Sequence, residues 1–103
     1  EGMATIKDVV HTGETLHIDI VIPDDNIKYF FKKGFIGLQG CSLTVNRVDR
    51  KTNEISVDLI PETLRLTTFK HIQIGGKLNY EIDQMTRTMV DTLESIHQRQ
   101  QEN

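Results

Sequence analysis

The strongest constraint on the fold is a two-residue alternation of apolar and polar side chains, repeated in short runs that end at turn residues. In the run from Thr15 to Ile22 every second residue is Leu or Ile, and residues 55–60 repeat the pattern. A period of two places alternate side chains on opposite faces of a strand. The chain is therefore predicted to consist mainly of β-strands with one buried face.

Turn signals at intervals of about ten residues divide the chain into short strands. Residues 11–14, the break at Gly40 and the pair Gly75-Gly76 have the composition of turns. Six strands joined in this way predict an all-β fold, a small six-stranded antiparallel Greek-key barrel. Short capping helices at residues 26–31 and 61–66 are expected to cover its ends, with Ile27, Phe30 and Phe31 directed inward.

After Asp83, a candidate N-cap, the apolar period changes to that of a helix. The apolar stripe, with spacings of four, four and three residues, consists of Met85, Met89, Leu93 and Ile96. We predict a helix over residues 84–98, a polar tail after it, and a single domain, residues 1–103. The stripe either covers the barrel or pairs with other copies as an oligomerisation helix, and the sequence leaves both open.

Composition limits the classes of function. Lys and Arg total 12 against 15 Asp and Glu, a net charge of -3, so a nucleic-acid surface has little support. No run approaches the roughly 18 apolar residues of a membrane span. The histidines and the single Cys41 lack metal-ligand spacing, so no metal is predicted. The start of the chain predicts a cytoplasmic location, and its lack of an initiator Met predicts a longer parent.

The candidate site lies in the hairpin at residues 33–48. Its glycines, Gly37 and Gly40, let the backbone approach a flat ligand closely. Alternation directs a row of polar side chains outward and Cys41 inward, as a small core residue. The outward row is Ser42, Thr44 and Asn46. A solvated outer face shows the same pattern, so this row alone does not decide between ligand binding and solvent exposure.

A second wall of the candidate site follows the strand at residues 55–60. Ile60 is apolar in a polar phase, and is either a contact at the barrel rim or a wall for a bound ring. Pro61 starts a helical turn whose first N–H groups are free to donate. Lys33 is either a solvated cation or an anchor for an anion. Together these groups suit a planar, polyhydroxylated, uncharged heterocycle.

Three motifs resemble those of the riboflavin synthase family, in particular its C-terminal lumazine-binding barrel. They are G-C-S-L-T-V at residues 40–45, L-I-P-E-T-L at 59–64 followed by Thr67-Thr68, and G-K-L-N-Y-E-I-D at 76–83. Each motif is weak alone, and the three together are specific. The similarity extends from about Met3 to His97.

The resemblance implies an enzyme with two barrels in each chain, each binding one 6,7-dimethyl-8-ribityllumazine and using no metal or cofactor. An N-terminal barrel faces the C-terminal barrel of a neighbouring subunit in a trimer gathered by C-terminal helices. Two bound molecules exchange a four-carbon unit, which gives riboflavin and 5-amino-6-ribitylaminopyrimidinedione. The expected partners of this chain are therefore the lumazine or riboflavin and the N-terminal barrel, and this chain would supply one half-site.

By the same resemblance, Ser42 and Thr44 are the expected catalytic residues. The substrate-binding set that it implies is Lys33, Ser42, Leu43, Thr44, Ile60, Pro61, Glu62, Thr63, Leu64 and Arg65. One departure favours an alternative, a non-catalytic lumazine- or flavin-binding protein. Gln39 replaces the aspartate usual in the family's C-terminal barrel, and an amide cannot accept a proton as a carboxylate does. A third hypothesis, a barrel used only for oligomerisation, rests on the apolar stripe.

Overall fold

The computed structural model describes residues 2–66, 69 and 72–102, and within them the strands form a closed barrel. The strands are β1 Gly2–Thr12, β2 Thr15–Val21, β3 Phe35–Leu38, β4 Cys41–Asp49, β5 Glu54–Leu59 and β6 Lys77–Glu81. The helical elements are a 3₁₀ helix, Asn26–Tyr29, and the α-helices α1, Pro61–Leu64, and α2, Gln84–Glu102. The predicted six-stranded barrel with a C-terminal helix is confirmed.

The order of strands around the barrel is β1-β2-β5-β4-β3-β6, and neighbouring strands are antiparallel. Strands β3, β4 and β5 follow one another by tight turns, and β2 lies beside β5, which is the Greek-key arrangement. Pairing of β6 with both β1 and β3 closes the sheet. The closing strand brings residues near 81 beside the hairpin of the predicted site.

The alternation in the sequence matches the burial of side chains. Ile18 and Ile20 of β2 and Val57 and Leu59 of β5 are buried in one core with residues of every other strand. Side chains fill the interior of a barrel this small. A ligand therefore has to bind on the outer surface of the barrel.

The 3₁₀ helix covers one end of the barrel with a different set of aromatic residues from the predicted one. Ile27 and Phe30 are buried as predicted, but Phe31 is 46% exposed and Tyr29 is buried instead. The helix ends at Tyr29, and Phe30 is extended, which turns Phe31 away from the core. The guanidinium of Arg50 lies 5.2 Å from the centre of the Phe31 ring.

Two tight backbone conformations shape the hairpin of β3 and β4. Gln39 and Gly40 form its two-residue turn, and both have positive φ angles, of 50° and 83°, as the preferred hairpin turn requires. Before β3 the left-handed residue is Lys33, with a φ of 69°, whereas glycine is the residue that favours this conformation. The N–H of Lys33 donates to the carbonyl of Val45 at 2.8 Å, which fixes the start of β3 against β4.

Helix α2 begins at the predicted cap and continues to Glu102, beyond the predicted end at residue 98. The Asp83 carboxylate accepts hydrogen bonds from the backbone N–H and the hydroxyl of Thr86, both at 3.0 Å. The Asp83 carboxylate therefore acts as the N-cap.

The polar tail was expected to end the helix. The helix instead continues through the tail, because Gln and Arg are good helix formers.

A polar seam holds α2 against the 3₁₀ helix. The Tyr29 hydroxyl donates to Asp91 at 2.6 Å, and Lys28 donates to Glu94 at 3.1 Å. The hydrogen bond to the Asp91 carboxylate raises the pKa of Tyr29 above its ordinary value. The Arg87 guanidinium lies 5.2 Å from the centre of the same tyrosine ring.

The apolar stripe faces away from the barrel. Its four residues are between 42% and 81% exposed, because the helix docks through the opposite face. The alternative in which the stripe covers the barrel is therefore wrong. In the part of the chain that the structure describes, no helix has the length and apolar character needed to span a membrane.

Candidate functional site

A cleft of about 220 Å³ opens on the outer surface where β3, β4 and the end of β6 meet. We call it the Gly37 cleft. The hairpin contributes Phe35, Gly37, Gly40, Cys41 and Ser42, and the chain after β6 contributes Glu81, Ile82 and Asp83. The cleft thus combines one hydroxyl, two carboxylates and an aromatic side chain.

Gly37 forms the floor of the cleft. It lies directly opposite Ser42 on β4 and Glu81 on β6. These three residues form an outward-facing row across three strands, and the middle position of the row has no side chain. A Cβ atom added at Gly37 would lie 3.2 Å from the Cβ of Glu81, which is closer than ordinary contact. The absence of a side chain is therefore what leaves the space between the hydroxyl and the carboxylate.

The polar groups of the cleft differ in what holds them. Asp83 caps α2 through Thr86, so its carboxylate is fixed by the helix that follows. Glu81 and Ser42 are both exposed, and the ion pairs among the described residues do not include Glu81. These groups can donate to and accept from a polar ligand, and the carboxylates can accept protons.

Phe35 forms the apolar side of the cleft. Phe35 is 61% exposed. Thr44 lies directly opposite Phe35 on the neighbouring strand. The predicted polar row on β4 therefore continues from the cleft along the outer surface, where both Ser42 and Thr44 are exposed.

The structure brings only part of the predicted set together. Of the residues predicted to bind substrate, Ser42 lines the Gly37 cleft, and Thr44 lies beside its aromatic wall. Leu43 points inward and packs against the core, so only its backbone can face a ligand. Lys33 is exposed two residues before Phe35 and does not line the cleft.

The second predicted wall lies next to β4 and outside the cleft. Strand β5 pairs with β4 through Val45 opposite Val57, so the end of β5 and the start of β4 lie at the same end of the barrel. Ile60 follows β5 and is 49% exposed. Helix α1 begins with Pro61 as predicted, and Leu64 packs against the core.

The rest of this wall divides into exposed and half-buried side chains. Glu62 and Arg65 are exposed, and Pro61 and Thr63 are half-buried. Thr67 and Thr68, which complete the second motif, lie outside the described residues. The six residues from Ile60 to Arg65 therefore remain predicted substrate contacts.

Gln39 lies in the hairpin turn and bonds to β6. Its side-chain oxygen accepts from the N–H of Asn79 at 2.6 Å, and its own N–H donates to the carbonyl of Asn79 at 2.9 Å. The side chain at the position of the expected aspartate thus holds the closing strand. Cys41 is half-buried at the edge of the cleft, and it packs against the core as predicted.

The match of the family model named lumazine binding domain covers residues 1–83. The chain belongs to the lumazine-binding domain family. The match includes every strand of the barrel, the Gly37 cleft and all predicted site residues, and it ends where α2 begins. The predicted resemblance to the lumazine-binding barrel of riboflavin synthase is thereby confirmed.

The relatives of this lumazine-binding domain include curated riboflavin synthases. The chain is 46% identical over 70 residues to riboflavin synthase of Escherichia coli strain K12, which is 68% of this chain and 32% of that protein. It is 36% identical over 87 residues to the riboflavin synthase of Brucella abortus strain 2308, covering 84% of this chain and 42% of that protein. The lumazine-binding domain spans about a third of the length of curated relatives such as the riboflavin synthase of Escherichia coli.

Solved structures with the same fold include complexes of LumP. The complex with 6,7-dimethyl-8-(1'-D-ribityl)lumazine has a TM-score of 0.69 and 28% identity, covering 80% of this chain and 44% of that chain. The complex of LumP with riboflavin has a TM-score of 0.72 and 27% identity, with 82% and 44% covered. The lumazine-binding domain thus shares its fold with proteins solved with these ligands.

Sequence reasoning missed the two carboxylates of the cleft. Glu81 and Asp83 are both in the third motif, and their acidic character was visible in the sequence. What the sequence did not show is that β6 pairs with β3, since this pairing joins residues more than 40 positions apart. Among the described residues no group of three or more His, Cys, Asp or Glu could hold a metal ion.

Proposed function

We propose that the chain binds 6,7-dimethyl-8-ribityllumazine at the Gly37 cleft and supplies one half-site of riboflavin synthase. The observation that carries the proposal is the joint presence of Ser42, Glu81 and Asp83 around a glycine floor, in a member of the lumazine-binding domain family. The cleft is smaller than a ribityl heterocycle. We expect the rest of the ligand to extend over Thr44 towards Ile60.

In this proposal the predicted residues divide into three groups. The hydroxyls of Ser42 and Thr44 hydrogen-bond the ring and assist the chemistry. The backbone at Leu43 and the first N–H groups after Pro61 bind polar edges of the ligand. Ile60 packs on it, while Lys33 and the side chains of residues 62–65 surround the ribityl chain.

The proposed reaction exchanges a four-carbon unit between two lumazine molecules, and gives riboflavin and 5-amino-6-ribitylaminopyrimidinedione. Holding two reactants in register lowers the entropic part of the barrier, a contribution worth up to about 7–11 kcal/mol in well-oriented reactions. The acidic methyl group of one lumazine must lose a proton. The carboxylates of Glu81 and Asp83 are the groups in the cleft that can accept it.

The second reactant needs a second surface. The Gly37 cleft lies on the outside of the barrel and opens to solvent, so one barrel covers one side of a bound ring. We propose that the N-terminal barrel of the same enzyme covers the other side, in a trimer joined through α2. The exposed stripe of Met85, Met89, Leu93 and Ile96 is an apolar surface through which α2 could join the trimer.

A non-catalytic lumazine or flavin carrier is the second candidate function. Gln39 favours it, because the side chain at the expected aspartate cannot accept a proton and is bonded to Asn79. In that case the cleft would bind the same ligand without a second reactant. The two functions differ in whether product forms.

The test combines binding and turnover. The chain is titrated with 6,7-dimethyl-8-ribityllumazine, followed by fluorescence, and is then mixed with a separately produced N-terminal barrel while flavin absorbance is recorded. Lumazine binding together with riboflavin formation supports the half-site. Lumazine binding without riboflavin formation, both with and without the N-terminal barrel, supports the carrier. Ser42→Ala should weaken binding, whereas Ser95→Ala on α2 should not. Absence of binding by the unaltered chain would contradict both functions.

A further inference from the structure

Asp83 links the Gly37 cleft to helix α2. Its side chain lines the cleft, and its Oδ2 atom accepts both hydrogen bonds from Thr86 that cap the helix. The backbone carbonyl of Asp83 also accepts from the N–H of Arg87 at 2.9 Å. Because Asp83 is bonded into the first turn of α2, a change in the angle of the helix would move its carboxylate within the cleft.

The angle of α2 is not fixed by a buried apolar face. Ile82, just before Asp83, is 6% exposed and belongs to the core, whereas no side chain in residues 84–101 is buried. Val90 is half-buried and packs against the core, so the apolar attachment of α2 to the barrel is small. The angle therefore depends on the polar contacts that α2 makes with the 3₁₀ helix.

The 3₁₀ helix is a fixed support for these contacts. Phe30, which follows it, is 1% exposed and meets the ring of Tyr80 edge-on, with 6.2 Å between the ring centres. The side-chain amide of Asn26 donates to the Tyr80 hydroxyl at 2.7 Å. Since Tyr80 belongs to β6, the 3₁₀ helix is held directly against the barrel.

The hydrogen bond from Tyr29 to Asp91 is the strongest of the contacts between the two helices. The ion pair of Lys28 with Glu94 is accessible to solvent, where such pairs contribute little. Tyr29 is buried, and its hydroxyl donates to a carboxylate at 2.6 Å. Hydrogen bonds to an ionised acceptor are about twice as strong as those between neutral groups, so this bond contributes most to the angle of α2.

We propose that Tyr29 is a positioning residue for the Gly37 cleft, and that it acts through Asp91 and α2 to keep the Asp83 carboxylate in place for a ligand. The inference rests on the proposed ligand site. Tyr29 does not line the cleft, so its effect on a ligand has to pass through Asp83. Loss of the Tyr29 hydroxyl would let α2 change its angle and withdraw that carboxylate, while Ser42 stays in place on β4.

A double-mutant cycle tests this route. The affinity for 6,7-dimethyl-8-ribityllumazine is measured by fluorescence for the unaltered chain, Tyr29→Phe, Asp83→Asn and the double variant. Phenylalanine keeps the ring beside which the Arg87 guanidinium lies, and asparagine keeps the N-cap. We expect Tyr29→Phe to weaken binding about threefold in the unaltered chain, near the low end of coupling between connected residues. In the Asp83→Asn background the same substitution should have no effect.

Ile18→Val is the control for a general loss of stability. Ile18 is 1% exposed in β2, and shortening a buried side chain destabilises the folded state without altering the contacts of α2. This variant should have a lower unfolding midpoint than the unaltered chain and the same affinity for the lumazine.

Three results would overturn the proposal: no weakening by Tyr29→Phe, equal weakening in both backgrounds, or a similar weakening by Ile18→Val. If the unaltered chain binds the lumazine in these cases, the proposed ligand site still stands. If the unaltered chain does not bind the lumazine, both proposals fail.

Discussion

At the scale of single residues, Gly37 determines the depth of the cleft. A methyl group there would lie 3.2 Å from the Cβ of Glu81, and its φ angle does not require glycine. We expect Gly37→Ala to fold, with an unfolding midpoint close to that of the parent, and to bind riboflavin about tenfold more weakly. Fluorescence titration measures the affinity. Unchanged affinity in the folded variant would show that ligand does not enter the cleft.

Asp83 lines the Gly37 cleft and caps α2, and two substitutions test its capping role. Asparagine is as good an N-cap as aspartate, while alanine lacks the acceptor and costs typically about 1 kcal/mol. We expect Asp83→Ala to lower the free energy of unfolding by about that amount and Asp83→Asn to preserve it. Denaturant unfolding followed by circular dichroism measures both. Equal stability of all three proteins would contradict the capping role.

The positions of Ser42 and Thr44 on the outer face could be predicted because strand alternation is a local property. The inward position of Leu43 followed from the same pattern. Gly37 was identified as a close-approach glycine, but its neighbour Glu81 was not, because only the pairing of β3 with β6 brings the two together. Residue-scale predictions therefore succeeded within a strand and failed across strands that are distant in sequence.

At the scale of elements, the docking of α2 depends on the hydroxyl of Tyr29. The hydrogen bond to Asp91 favours the protonated phenol, so the pKa of Tyr29 is raised in the folded protein above the ordinary value of 10.0. The folded state thus keeps a proton that the unfolded state has lost. This contribution to stability is complete below about pH 10 and falls as the pH rises through the folded pKa.

We expect Tyr29→Phe to have a lower unfolding midpoint than the parent at about pH 8, and the difference between them to shrink at about pH 11. The hydrogen bond to Glu94 also raises the pKa of Lys28, but Lys28 is present in both proteins. The comparison therefore isolates the phenol. A difference that is constant between the two pH values would contradict this role of the Tyr29 hydroxyl.

The strands, the turns and the starts of the helices could be predicted from the sequence, whereas the C-terminal ends of the helices could not. Alternation and glycine turns are strong local signals. The end of the 3₁₀ helix depends on how Phe30 enters the core and how Arg50 bonds to its carbonyl at 2.8 Å, which are tertiary contacts. Tyr29 and Lys28 determine which face of α2 docks against the 3₁₀ helix. The sequence of the apolar stripe does not indicate which face this is.

At the scale of the whole molecule, the exposed stripe on α2 makes the assembly state a testable property. Leu93 is 61% exposed on the face that points away from the barrel. We expect Leu93→Glu to lower the mass of the assembly found by sedimentation, because burying an unpaired charge in an apolar contact is energetically unfavourable. Gln98→Glu adds the same charge away from the stripe and should have no effect. An unchanged mass for Leu93→Glu would exclude the stripe as a contact.

In the proposed function, the barrel presents the Gly37 cleft on its outer surface as a site for a ribityl heterocycle. The most direct test is a titration of the ¹⁵N-labelled chain with 6,7-dimethyl-8-ribityllumazine, followed by amide chemical shifts. Binding in the Gly37 cleft predicts saturable shifts at Gly37, Ser42 and Glu81, with α2 beyond its first turn unaffected. Shifts confined to α2, or no saturable shifts, would contradict it.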